Sequence, residues 1–233
     1  RFHMRHRWLG WDQPMANSTR PTGQAAQALR FAGPDGPVHA RHLALVLALG
    51  GGSWSRLGSD GAWVPLLAER GVDIASLLPS NCGFEVRSGW SPFLRERFAG
   101  APLKSVALEV PDSGGGVWRQ KGECVLTEYG LEGSLVYAAT SVLRDAIGRD
   151  GEVGIALDLL PDWSAQRVAQ EVAHPRGSRS LGSHLRSRMP LDAAKLALIN
   201  ECLNAQERAD VAMLARSIKA LPVHLVRPRP LDE

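Results

Sequence analysis

Seven consecutive apolar residues at 43–49 run without a break into Gly50, Gly51 and Gly52, and no other junction constrains the fold as much. Apolar residues in unbroken succession lack the alternation of a half-exposed strand and predict a strand covered on both faces, as in a parallel sheet. Ligands of open α/β sheets sit outside the carboxyl ends of the strands, which is where the three glycines fall. Lacking Cβ atoms, these residues let backbone N–H groups come close to a phosphate or a ring. A helix is predicted to start near Asp60, pass through Gly61, Ala62 and Trp63, and stop at Gly71. The spacing excludes the first phosphate-binding turn of a dinucleotide fold, because Gly50-x-Gly52 is followed by Ser55 where a third glycine belongs. A tight corner with no ligand is the other reading of the triplet. The continuation favours a ligand, since Gly58 and Gly61 interleave with Ser53, Trp54, Ser59 and Trp63.

On either side of this junction the pattern changes twice. Phe2, Met4 and Trp8 share one face of a predicted strand, a polar connector follows at 17–27, and a hairpin turns at Gly33-Pro34-Asp35-Gly36. Between 72 and 159 short alternating runs dominate: Phe84 and Val86; Val106, Leu108 and Val110; Val125; then Val153, Ile155 and Leu157. Such runs predict a barrel or sandwich. A short helix is expected there with Ser91 as N-cap, Pro92 at its first position and Gly100 as its stop, and a longer one over 135–147. From Pro161 the signals are helical, over 164–173, 180–188, 191–203 and 205–221, with Asn204 and Glu207 forming a capping box. Leu196, Ile199, Leu203, Val211, Leu214 and Ile218 follow helical spacing and are expected in the core.

Composition narrows the function classes. With 233 residues, 44% of them hydrophobic and 22% charged, the chain can bury a substantial core in one or two domains. Lys and Arg (27) barely exceed Asp and Glu (24), so a general polyanion-binding role does not follow, and neither a nucleic-acid nor a membrane partner is expected. Cys82, Cys124 and Cys202 show no CxxC spacing, which favours a reducing cytoplasm and argues against structural zinc. His3 and His6, like His39 and His42, are three apart in strand-like sequence and point to opposite faces, so no metal site is expected. Ser53 and Ser59 lack both a base and the nucleophile-elbow spacing. No residue stands out as a general acid or base. The basic run at 174–188, with Arg176, Arg179, Arg186 and Arg188, reads as a solvated face; as an alternative, it would suit a non-enzymatic module that binds RNA or protein.

Residues 47–67, LALGGGSWSRLGSDGAWVPLL, resemble the second flavin-contacting segment of a family of NAD(P)/FAD-dependent oxidoreductases related to bile-acid reductases. Ala48, Gly50, Gly51, Ser53, Trp54, Gly58, Ser59 and Gly61 match its pattern, while Leu49 replaces a common threonine and Ser55 a usual proline. GECVLTEYGLEG, at 122–133, and LPVHLVRPRP, at 221–230, are similar to further segments of that family. The resemblance implies an α+β chain: a partial FAD-binding Rossmann-like domain of the glutathione-reductase type at 1–71, an inserted β-barrel at 72–160, a small helical subdomain at 161–221, and a return strand at 222–233. It implies FAD as cofactor, NAD(P)H as electron donor and a small-molecule substrate of unknown identity. The FAD contacts it implies are Trp8, Ala48, Gly50, Gly51, Gly52, Ser53, Trp54, Gly58, Ser59 and Gly61. The family's opening GxGxxG turn and its closing glycine-rich segment do not occur here, so the chain is expected to be the middle of a longer flavoprotein.

Overall fold

A computed structural model describes residues 2–12, 28–112 and 114–230. The connector expected at 17–27 lies outside the described residues. The chain divides into two compact units, one up to Leu78 and one over Pro79–Leu231.

The first unit holds an antiparallel sheet of β1 (Arg7–Trp11), β2 (Ala28–Gly33) and β3 (Gly36–Arg41), with β2 in the middle. Gly33 pairs with Gly36 across the two-residue turn that the Pro34-Asp35 pair predicts, and Gly36 has φ of 123°. The first strand starts later than the sequence suggests: Arg5 turns with a φ of 58°, His6 Nδ1 bonds the Met4 carbonyl at 2.8 Å, and Phe2 and Met4 are exposed. Only the part from Arg7 finds a partner strand.

The doubly buried strand expected at 43–49 does not form. These residues make no strand, and Leu43 and Val46 are 96% and 89% exposed. Pairing is the missing ingredient, because the described sheet of this unit already ends at β3 and no other described strand lies in it. A 3-10 turn at Ser55–Leu57 and helix α1 (Trp63–Ala68) follow. Gly71 stops the helix as predicted, with φ of 75° and its N–H on the Ala68 carbonyl.

The second unit is a closed six-stranded antiparallel barrel with helices in three of its connections. In chain order its elements are β4 (Phe84–Val86), α2 (Pro92–Phe98), β5 (Pro102–Pro111), β6 (Val117–Leu126), β7 (Gly130–Glu132), α3 (Ser134–Ala138), α4 (Thr140–Asp150) and β8 (Val153–Asp158). There follow α5 (Ala165–Ala173), α6 (Leu181–Arg188), α7 (Ala193–Cys202), α8 (Ala205–Ala209), α9 (Val211–Lys219) and β9 (Leu221–Pro228). Around the barrel the order is β4-β7-β6-β5-β8-β9, and β9 returns to pair with β4. Closure leaves no sheet edge open. The stretch expected as a return strand, 222–233, therefore supplies the closing strand of this barrel through β9.

Alternation decides what faces inward. Val106, Leu108 and Val110 of β5, Val153, Ile155 and Leu157 of β8, and Leu221, Val223 and Leu225 of β9 are all buried in one core. The helices cover that core with α7, whose Ala194–Ile199 stretch is buried throughout, and with the apolar stripe of α9, including Leu214 and Ile218. Val211 was expected with them but is half exposed, because it opens α9. Caps set the helix starts: Ser91 accepts from Leu94, Ser164 from Arg167, Ser180 from Ser183, and the Asn204–Glu207 capping box is present. Two expected helices are divided. The 135–147 helix breaks at Ala139, and the 205–221 helix breaks at Asp210, whose side chain accepts from the Met213 N–H and so starts α9 afresh.

Candidate functional site

The glycine-rich loop at 50–61 folds on itself through backbone bonds. Trp54 and Ser59 exchange two N–H···O bonds, at 2.9 and 3.1 Å, around the 3-10 turn, and Gly58, with φ of 86°, donates to the Ser55 carbonyl at 3.0 Å. Gly61 donates to the Gly51 carbonyl at 3.1 Å, which draws the two ends of the loop together. Asp60 then fixes the entry to α1: its carboxylate accepts from the Ala62 N–H at 3.0 Å and lies 3.5 Å from the Arg7 guanidinium.

What the loop leaves unpaired matters most. Among the described residues, no protein acceptor takes the backbone N–H of Gly50, Gly51, Gly52 or Ser53. Four successive donors with small or absent side chains form a surface that an anion or a ring edge can approach. Gly50 and Gly61 have φ of 71° and 66°, so L side chains would strain both. Gly51 differs: a Cβ there would meet only the Ser59 Oγ at 3.4 Å, and its φ is not positive. The fold alone does not require glycine at 51.

The same unit contains two further free donors. Trp8, in β1, stacks edge-to-face on Trp11 at 4.8 Å, and its indole Nε1 is buried without a partner among the described residues; the Trp63 Nε1 of α1 is in the same state. Unpaired buried N–H groups cost about 1–3 kcal/mol each and call for an acceptor. Trp63 lay beside the predicted site without being assigned to it, and only its indole position reveals it. Of the other predicted contacts, Ala48 lies in the exposed segment that leads into the loop, and Trp54 is itself exposed. Backbone donors such as those at 50–53 suit phosphate, ribose and ring acceptors. Among the described residues no group of three or more His, Cys, Asp and Glu side chains is placed to hold a metal, and His39 instead bonds Asp12 at 2.5 Å.

In the second unit the GECVLTEYGLEG segment turns out to be architecture. Thr127 Oγ1 accepts from the N–H groups of Gly130 (2.9 Å) and Tyr129 (3.3 Å), tightening the β6–β7 turn. The Gly130 carbonyl accepts from the Trp90 indole and the Thr127 N–H, and a Cβ on Gly130 would collide with the Phe84 carbonyl. Gly133, with φ of 100°, opens α3, and a Cβ on Gly122 would touch Leu135. An ionic cluster that the sequence did not reveal lies at the end of β8. The buried Asp158 carboxylate meets Lys219 at 2.8 Å and Arg119 at 3.3 Å, while Lys195 of α7 donates to the Leu159 carbonyl at 2.8 Å. Burial lowers the Lys195 pKa. Every member is engaged with protein partners, so the cluster pins α7 and α9 to the barrel and offers no group for chemistry. Burial also pushes the Cys124 and Cys202 thiols up to about 12, which removes them as nucleophiles.

A comparison with protein families matches residues 78–233 to the HI0933-like protein barrel and H2TH domain. The chain belongs to the HI0933-like family. Its matched span coincides with the barrel and helices of the second unit, and the family is associated with FAD-dependent oxidoreductase-like proteins. No curated protein matches the HI0933-like chain.

Proposed function

We propose that the chain is part of a flavin-dependent oxidoreductase, with the 50–61 loop as one wall of an FAD site. The observation that carries this reading is the run of unpaired N–H groups at Gly50, Gly51, Gly52 and Ser53 in a chain whose barrel is HI0933-like. FAD, when bound, would supply hydride transfer between NAD(P)H and an unsaturated or carbonyl substrate. Gly50, Gly51, Gly52 and Ser53 would donate backbone hydrogen bonds to it. Trp54, Gly58, Ser59 and Gly61 would hold that loop in shape through the paired carbonyls and amides described above, and Ala48 would set its approach. Trp8 would contribute beside the nucleotide, its indole N–H as the free donor.

Gly51 gives the cleanest test because the protein itself leaves room for a side chain there. In the full-length protein carrying this sequence, Gly51→Val should lower the flavin-to-protein absorbance ratio after gel filtration severalfold, with the thermal midpoint of the barrel unchanged. A Gly51→Val protein that keeps its full complement of flavin contradicts the assignment.

A further inference from the structure

The loop between α5 and α6 frames an open cavity of about 460 Å³, lined by His174, Arg176, Arg179, His184 and Arg188 among others. His184 sits on the first half of α6 and is only 3% exposed, yet its Nε2 is buried with no hydrogen-bond partner among the described residues. A buried imidazole nitrogen left unpaired is costly, and nothing in the surrounding protein compensates it. Around it the charge is positive. Arg188 is neutralised by Glu171, through bonds of 2.6 and 2.5 Å, and Arg179 touches only the uncharged Ser187 hydroxyl at 3.2 Å. Arg176 makes no ion pair among the described residues. Two guanidinium groups without carboxylates and one orphaned imidazole thus converge on one concave space.

We propose that this cavity binds a terminal phosphate group of a small molecule. A phosphate monoester carries close to two negative charges and three strong acceptor oxygens, enough to take Arg176, Arg179 and the His184 Nε2–H together. A phosphodiester within a polymer carries one charge and would lie along the exposed rim, leaving the buried imidazole unpaired; the depth of His184 therefore favours the small ligand over RNA. The sequence exposed the arginines but hid the decisive residue, since His184 reads there as one more polar residue of a basic face. This proposal rests on the cavity alone and stands or falls independently of the flavin site.

Calorimetric titration of the protein with inorganic phosphate, NADP⁺, NAD⁺ and a single-stranded RNA oligonucleotide tests it. Inorganic phosphate should bind saturably, and both Arg176→Ala/Arg179→Ala and His184→Phe should raise its Kd by on the order of tenfold or more. The arginines are exposed and the His184 ring nitrogen bonds nothing, so both variants should keep the wild-type thermal midpoint. Tighter binding of NADP⁺ than NAD⁺, lost in the double-arginine variant, makes the 2′-phosphate on the adenosine ribose of NADP⁺ the source; equal binding of the two makes the source another phosphate monoester. No phosphate binding at concentrations on the order of 10 mM, or a Kd unmoved by the variants, overturns the proposal. RNA binding tighter than phosphate through the same three residues overturns it as well, in favour of a polymer surface.

Discussion

At the scale of single residues, glycines carry two different messages in this chain. Gly130 is required by packing: its missing side chain lets β7 pair closely beside β4, and it holds the Trp90 indole and the Thr127 hydroxyl at once. Because the obstacle is a backbone carbonyl, it cannot move aside as a flexible side chain could. Gly130→Ala should therefore cost roughly 3 kcal/mol or more, at or beyond the upper end of ordinary overpacking, in urea unfolding followed by tryptophan fluorescence. A loss below about 1 kcal/mol would mean that β4 and β7 separate easily. Gly51 carries the other message: a Cβ there would make only an ordinary contact with the Ser59 Oγ at 3.4 Å, so packing does not demand glycine, and the proposed cofactor contact is what would. A sequence does not distinguish the two, since both are one letter in a glycine-bearing motif.

At the scale of elements, the seam between β4 and β9 closes the barrel, and charge reinforces it. Glu85 is bonded by Arg227 at 2.6 Å and by Arg229 at 2.7 Å, and the Arg227 hydrogen bond, with Arg229 adding to it, holds the carboxyl below the ordinary value of 4.5. A carboxyl whose folded pKa is depressed stabilises the fold above its unfolded pKa and loses that contribution as pH falls through the folded value. Glu85→Gln should lower the thermal midpoint by a few degrees at pH 7, and the gap to wild type should close as pH falls below 4.5. A gap of constant size down to pH 3 would show that the ion pairs contribute nothing. The 43–49 segment is the opposite case, an apolar element without a seam. Leu43→Lys with Val46→Lys should leave the unfolding free energy within about 0.5 kcal/mol, since both side chains are already in water, and should reduce self-association measured by sedimentation. Unchanged association would show that this segment is not the sticky surface.

The same contrast explains what could be read in advance. Helix starts at Ser91, Ser164, Ser180 and Asn204 were legible because a cap and its N–H lie within three residues. The alternating residues of β4, β5 and β8 are legible because inward facing has a period of two. Residues 43–49 read as a strand and form none, because a strand is a property of a pair and hydrophobicity names no partner. Asp210 reads as a helix interior although it caps α9, and the Asp158 cluster and His184 depend on contacts between distant segments that no local pattern encodes.

At the scale of the whole molecule, a closed barrel with a helical cover over Pro79–Leu231 accounts for the HI0933-like match, while the loop proposed to meet the cofactor belongs to the other compact unit. No helix among the described residues is long and apolar enough to cross a membrane. Flavin content decides whether this chain is flavoprotein machinery. The full-length protein carrying this sequence should be purified, acid-denatured, and the released cofactor identified by chromatography and fluorescence. FAD is expected at close to one equivalent per chain, in the purified protein or after reconstitution. Protein that is folded, releases no flavin and shows no saturable binding of added FAD would contradict it.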